Sequence, residues 1–185
     1  MSYRPITDVW ILARSKVKFY GAYPAGFLQR ARDLIGCRAD DVVLHVCAGK
    51  VREYPYSGVG EHDITMDLDP STNPDYIADA CEQASWRWIH GRTPIGVEIA
   101  GVLADPSYSD AEQLNYAECT HGKRPTPQLI VAYAIDILPV GGRVGVLSYE
   151  WPRYPKATAR QVALVSVYVG NGNAGRTFAV YERIK

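Results

Sequence analysis

An α/β fold, built on a doubly wound and mostly parallel sheet with a C-terminal antiparallel hairpin, is what this sequence predicts. Three observations carry that expectation. Short β-branched apolar runs of strand length alternate with segments of helical spacing, the pattern of a sheet covered on both faces. Small or acidic residues follow these runs one after another, as they do where the strands of an open sheet end at a ligand crevice. Finally, Gly170-Asn171-Gly172-Asn173-Ala174-Gly175 separates two alternating stretches, Ala163 to Val169 and Thr177 to Tyr181, which is hairpin chemistry.

Taken in order, residues 1 to 20 give no firm element, although Val9-Trp10-Ile11-Leu12 is apolar enough to pack on a core. Lys18 to Phe27 holds two glycines, a proline and four aromatics, the composition of an ordered loop. Phe27 to Ile35 has helical spacing and Gly36 stops it. Val42-Val43-Leu44-His45-Val46 is the first confident strand. It runs into Cys47-Ala48-Gly49, a small-residue turn that lets a cofactor approach the backbone. A second strand from Asp63 to Asp69 ends in acids. In a dinucleotide-type half-fold an acid there accepts ribose hydroxyls, and Asp67 is the candidate because Asp69 precedes Pro70 and shapes the turn. A purely turn-forming role for both stays open.

A short third strand, Asp75 to Ala80, carries Asp79 at its end. Trp86, Trp88 and Ile89 are expected to pack on the sheet after it. Ile99 to Leu103 reads as a buried fourth strand, and it must leave the sheet at Asp105-Pro106 because proline cannot donate to a ladder. Asp110 to Cys119 has the polarity of a capped helix, and Gly122 to Pro127 reads as loop. Gln128 to Leu138 is a strongly apolar helix stopped by Pro139-Val140-Gly141-Gly142, before a strand from Arg143 to Tyr149.

The 185 residues suit one domain, and no segment reaches the apolar length of a membrane span. No secretory signal is expected from the first residues. Cys37, Cys47, Cys81 and Cys119 form no paired metal-binding unit, so no metal is expected and free thiols in a reducing cytoplasm are. The formal net charge is zero, which excludes a protein that holds nucleic acid by charge alone. Positive charge nonetheless gathers at both ends, including Arg4, Arg14, Lys16 and Lys18 in one and Arg153, Lys156, Arg160 and Arg176 in the other. If the ends meet around one cleft they form a positive rim; otherwise they are solvated charges on separate faces.

Asp105-Pro106-Ser107-Tyr108 resembles the Asp-Pro-Pro-Tyr signature of the amino methyltransferases, which methylate exocyclic nitrogens of adenine or cytosine in DNA using S-adenosyl-L-methionine. Leu-Pro-x-Gly-Gly-Arg before a strand is similar to a connection found in class I methyltransferases. The resemblance implies their Rossmann-like fold over residues 1–185, with 1–36 forming an aromatic loop and helix that close over the cofactor. It further implies that Tyr23 and Phe27 contact the cofactor, and that Asp79 accepts from its adenine amino group. His45, Cys47, Ala48 and Gly49 fall on the family's first-strand motif, where His45 replaces an acidic or aromatic residue and Gly49 alone remains of the glycines. In the tetrapeptide, Ser107 stands where proline is usual.

The chemistry of the tetrapeptide can be stated from its residues. An exocyclic amine is a poor nucleophile because its lone pair is delocalised into the base. Two fixed acceptors, the Asp105 carboxylate and the Pro106 carbonyl, would hold its hydrogens and aim the lone pair, which is orientation and preorganisation rather than strong base catalysis. Tyr108 would stack on a base taken out of its helix. Three readings follow: methylation of a nucleobase in DNA, by an enzyme of phage or mobile-element type; the same cofactor with RNA, a free nucleotide or another small molecule as acceptor; and a cofactor-binding relative without catalysis. Oligomeric state is not legible.

Overall fold

The structure is a computed structural model that describes residues 4–17, 22–93, 97–107, 109, 123–170 and 175–185. Eight strands among these residues form one sheet: β1 (Ile6–Leu12), β2 (Val42–Val46), β3 (Ile64–Asp67), β4 (Tyr76–Ile77), β5 (Ile99–Ala104), β6 (Arg143–Ser148), β7 (Ala159–Val169) and β8 (Arg176–Arg183). Their order across the sheet is β1-β7-β8-β6-β5-β2-β3-β4. β8 alone lies antiparallel, inserted between β6 and β7. The mostly parallel sheet with an antiparallel hairpin is thus as predicted.

Strand alternation distributes the core over both faces. On β2, Leu44 and Val46 point to one face and Val43 to the other; on β5, Val102 and Ala104 part from Leu103 in the same way. The first face is covered by α2 (Gln83–His90) and α3 (Pro127–Ile137), through Trp86, Ile89, Ile130, Val131 and Ala134. The second is covered by α1 (Phe27–Leu34), whose Phe27, Leu28 and Ala31 pack with Trp10, Phe178 and Val180. Apolar area removed from water on two faces is what makes the central strands β2 and β5 read as continuous hydrophobic runs. Thr126 caps α3, accepting the Leu129 N–H at 3.3 Å, and Pro127 sits in the first turn where its missing N–H costs nothing.

Several elements differ from the sequence-based expectation. Residues 6–12 form a strand that pairs parallel with β7, with Trp10 and Leu12 turned inward and Val9 and Ile11 exposed. The third strand is only two residues long. Trp86 and Ile89 are buried as expected, but Trp88 lies outward on α2, edge-on to Tyr76. The expected helix from Asp110 to Cys119, loop residues 18–21 and the hairpin turn 171–174 lie outside the described residues. Among the described residues no helix is long and apolar enough to cross a membrane.

The crossing point of the sheet follows from its order. From β2 the chain moves through β3 to β4 on one side, then returns to β5 on the other side and continues to β6. The reversal lies between β2 and β5, and in open α/β sheets the crevice outside the carboxyl ends at that point is where ligands bind.

Candidate functional site

Four strand ends meet at this crevice. β2 passes into Cys47, held at φ 53, and Gly49 at φ 50. Left-handed backbone is costly for cysteine and free for glycine, so the strand turns sharply here. The turn is pinned from β3: Ala48 donates its N–H to the Met66 carbonyl at 3.2 Å, and Gly49 donates to Asp67 Oδ2 at 2.7 Å. A Cβ added at Gly49 would meet nothing within 4 Å. The Gly49 backbone therefore borders open space on the crevice side. Ala48 is buried beneath it.

Asp67 ends β3, half-buried, and its second oxygen accepts the Asp69 N–H at 2.9 Å. Burial raises its carboxyl above the ordinary 3.8 even though these two amide donors pull the other way. Asp69 shapes the following turn as expected, accepting from Ser71 N at 2.7 Å. Asp79 follows β4 and takes the Cys81 N–H at 2.8 Å. Burial, then the neighbouring Asp67, Asp105, Cys81 and Asp79, push the Cys47 thiol well above the usual range. Asp67, Asp79 and Asp105 share the carboxyl edge because they end or follow the parallel strands β3, β4 and β5.

Asp105 follows the last residue of β5 and is half-buried, with Pro106 buried behind it. The Ser107 carbonyl accepts from Arg124 Nη1 at 3.1 Å, while Arg124 Nη2 reaches Glu150 Oε1 at 3.2 Å. Arg124 therefore ties the loop after β5 to the residues after β6. Tyr108 lies outside the described residues.

An aromatic wall stands beside Asp105. Tyr23 stacks on Phe27 with ring centroids 5.2 Å apart and leans on Tyr54 at 6.2 Å, and Tyr54 in turn meets Tyr56 at 6.3 Å. Burial first, then the charge of Asp105, raises the Tyr23 phenol well above 10.0; burial and Asp105 likewise raise Tyr54. Phe27 is only 1% exposed and packs edge-on to Phe178 and Trp10. Its ring is part of the core beneath the wall. Gly58, at φ +117, brings the loop behind the wall against α1, since a Cβ there would stand 2.4 Å from the backbone of Leu28 and Gln29.

His45 shares the α1-facing side of β2 and is 0% exposed. Its Nε2 lies 2.9 Å from Asp63 Oδ2, and Arg32 Nη1 reaches both Asp63 oxygens at 2.9 and 2.7 Å. Val43 and Gly60 add their N–H groups to the same carboxylate. Burial alone would raise Asp63, but His45, Arg32 and Gly60 together bring it below 3.8. This buried triad holds the preceding loops to β2 and β3, and His45 spends its ring there rather than at the crevice.

The sequence reading picked out Asp67, Asp79 and Asp105 by their position after strands. It missed Tyr54 and Arg124, the latter read only as part of the loop from Gly122 to Pro127. Their signal is tertiary: Arg124 bonds to Ser107 and Glu150, both far away in sequence.

No family model and no curated protein sequence matches the chain. Solved structures do. TrmN from Thermus thermophilus superposes with a TM-score of 0.50 at 20% identity over 85% of this chain, which spans about half of that protein (48%). An rRNA methylase from Streptococcus thermophilus gives 0.52 at 10% identity, covering 89% of this chain and 100% of the other. A candidate S-adenosylmethionine-dependent methyltransferase of Streptococcus mutans gives 0.52 at 12% identity, covering 87% and 50%. The chain has the Rossmann-like fold of class I methyltransferases.

Proposed function

We propose that the chain is an S-adenosyl-L-methionine-dependent methyltransferase acting on an exocyclic amino nitrogen of a nucleobase. The observation that carries this reading is that Asp67, Asp79 and Asp105 stand at the carboxyl ends of β3, β4 and β5, beside the reversal point of the sheet. The residues present fit the cofactor. Gly49 offers a backbone edge that no side chain obstructs, Asp67 an acceptor for ribose hydroxyls, and Asp79 an acceptor for the adenine amino group. Cys47 and Ala48 keep the floor small, and Tyr23 closes the side toward α1. His45 and Phe27 act from beneath, as packing that fixes β2 and the wall.

When bound, the cofactor supplies an electrophilic methyl group on a sulfonium. The chain's own task is to present the amine. Asp105 accepts from the amine and draws its lone pair out of the conjugated ring, and the Pro106 carbonyl is placed beside it to take the second hydrogen. Arg124 holds the carbonyl of Ser107 and so keeps this loop from relaxing into solvent. Tyr108 is assigned the stacking role on the base. The residues 1–36 act with the rest as one unit, contributing the wall.

The polymer is better read as RNA than as DNA. Among the solved structures with this fold, the one from Streptococcus thermophilus is named an rRNA methylase, and a zero net charge fits an acceptor recognised by local shape rather than by a long charged duplex. A free nucleotide is the second reading, favoured by the small cavity described below. The experiment is incubation with labelled cofactor and a panel of RNA, single- and double-stranded DNA, nucleotides and nucleosides, with product mass locating the methyl. Transfer to an amino nitrogen in RNA is the expected result. Transfer to carbon or to a ring nitrogen would remove the assigned role of Asp105.

A further inference from the structure

A cavity of about 360 Å³ opens on the same sheet edge as the crevice, lined by Arg14, Ser15, Ala22, Pro24, Val169 and Arg176. Its volume lies at the lower end of the range for small-ligand pockets, roughly 300–1,000 Å³. Its position follows from the sheet. β1 and β7 run with β6, so their carboxyl ends lie beside those of β2 and β5, and β8, running the other way, begins there with Arg176. Gly170 fastens the turn after β7 to the end of β1 by donating its N–H to the Leu12 carbonyl at 3.1 Å. A Cβ at Gly170 would stand 3.4 Å from Arg14 Nε, so the Arg14 side chain passes the end of β7. Two guanidinium groups from opposite ends of the sequence thereby face one cavity.

The cavity adjoins the aromatic wall. Ala22 and Pro24, which line it, are the chain neighbours of Tyr23, and Tyr23 feels the charge of Asp105. Tyr54 feels Asp105 and Arg176 together, with opposite effects on its phenol. The edge is therefore polarised along a short distance, with carboxylates at the crevice and arginines beyond the tyrosines. An acceptor carrying both an amine and an anion fits this gradient in one direction only: amine at Asp105, anion at Arg14 and Arg176. Reversed, the anion would face Asp67, Asp79 and Asp105 and be repelled.

We propose that Arg14 and Arg176 form a subsite for the phosphate attached to the methyl acceptor. The inference rests on the nucleobase reading of the preceding subsection, for which phosphate is the anion the acceptor brings. Guanidinium groups suit it, since each can give two parallel hydrogen bonds to phosphate oxygens. It also explains how a chain of zero net charge would recognise a nucleotide: the positive charge is concentrated in one cavity rather than spread over a surface.

The test is equilibrium binding of AMP against adenosine and of CMP against cytidine, with a short single-stranded oligonucleotide as a further probe, each with and without S-adenosylhomocysteine. At least one phosphorylated probe should bind about ten- to a hundredfold tighter than its nucleoside, the scale of hydrogen bonds to a charged group. Arg14→Gln together with Arg176→Gln should abolish the preference, and Arg14→Lys with Arg176→Lys should retain part of it. Preference for the mononucleotide identifies a free nucleotide as the source of the phosphate; preference confined to the oligonucleotide identifies a strand. Calorimetry of S-adenosylmethionine should give equal affinity in wild type and variants, which also reports that they fold. Equal binding of nucleotide and nucleoside by the wild type, absence of binding by every phosphorylated probe, or a preference that survives the double glutamine variant overturns the subsite. Loss of cofactor binding in the wild type would instead overturn the methyltransferase reading, leaving the arginine-dependent preference as a separate result.

Discussion

Asp63 and Asp67 stand at the two ends of one short strand, and their surroundings push them in opposite directions. Asp63, before β3, is buried against Arg32 and His45 and is held below its ordinary value. Asp67, at the end of β3, receives two backbone N–H groups and is raised by burial. The difference separates two uses of a carboxylate. One is neutralised by the Arg32 guanidinium, bonded to the His45 ring, and is part of the scaffold. The other is shaped by amide donors alone, which fix its direction and leave acceptor capacity toward the crevice.

The largest test of this contrast is Asp63→Ala. It strands the Arg32 guanidinium without its counter-charge in the interior, and breaking such a pair costs about 3–5 kcal/mol. Urea denaturation should show a loss on that scale, with cofactor affinity in the surviving folded fraction unchanged. A loss near that of a surface substitution would show that the triad does not hold the loops.

Next in size is Asp105→Ala, which should lower turnover by about 2.7–4 kcal/mol, the scale of removing one preorganised polar partner from a reacting group. Cofactor affinity should hardly move, because the interaction belongs to the acceptor. Full activity in this variant would end the proposed mechanism. Asp67→Ala should do the reverse, weakening S-adenosylmethionine binding by about 1–3 kcal/mol in calorimetry with little effect on global stability.

Acid titration sharpens the comparison without any ligand. Asp63 has a folded value below its unfolded 3.8, so its contribution is present above that pH and is lost as pH falls through the folded value. Asp67 has a folded value above 3.8, so ionising it opposes folding, and stability falls as pH rises from 3.8 through the raised value. Stability against pH for Asp63→Asn and Asp67→Asn should deviate from wild type with opposite sign. The same sign in both would mean that the two ends of β3 are not electrically distinct.

The smallest effect is expected from Arg124→Ala. It frees the Ser107 carbonyl and Glu150 and should reduce kcat/KM by about 1 kcal/mol, the net worth of a typical hydrogen bond, with the reduction in kcat rather than KM.

These contrasts also explain what could be read from the sequence. β2, β5, β6 and α3 were legible because each is an apolar run bounded by glycine, proline or acids, signals contained within the element. The acids of the crevice were legible by order alone: each follows a strand, and parallel strands bring their carboxyl ends to one edge. β1 was not, because Thr7 and Asp8 interrupt its pattern and its partner is β7, at the other end of the chain. α2 was left unassigned since its polar and aromatic residues mix without a clean stripe. His45 was read toward the cofactor from its place beside the glycine turn, whereas the two-residue period of β2 puts its ring with Val43 on the α1 side. The positive rim was stated only as a condition, that the two ends meet. Arg14 and Arg176 line one cavity, and Arg160 bonds to Glu182.

The pairing of β1 with β7 has a consequence in time. Ile6 aligns with Ala163 and Leu12 with Val169, so during synthesis β1 must wait until β7 has been made before it finds its partner. Contacts of such sequence separation form late, since loop closure must precede any gain from them. Among the described residues the edge they build pairs with one strand, β7, which places it at the low end of the range of local opening energies. Hydrogen exchange should find the β1 amides less protected than those of β2, and the Arg14 side of the cavity should come and go with that edge. Occupancy of the cavity would then slow the opening of β1, linking the exchange of that strand to whatever the cavity has bound.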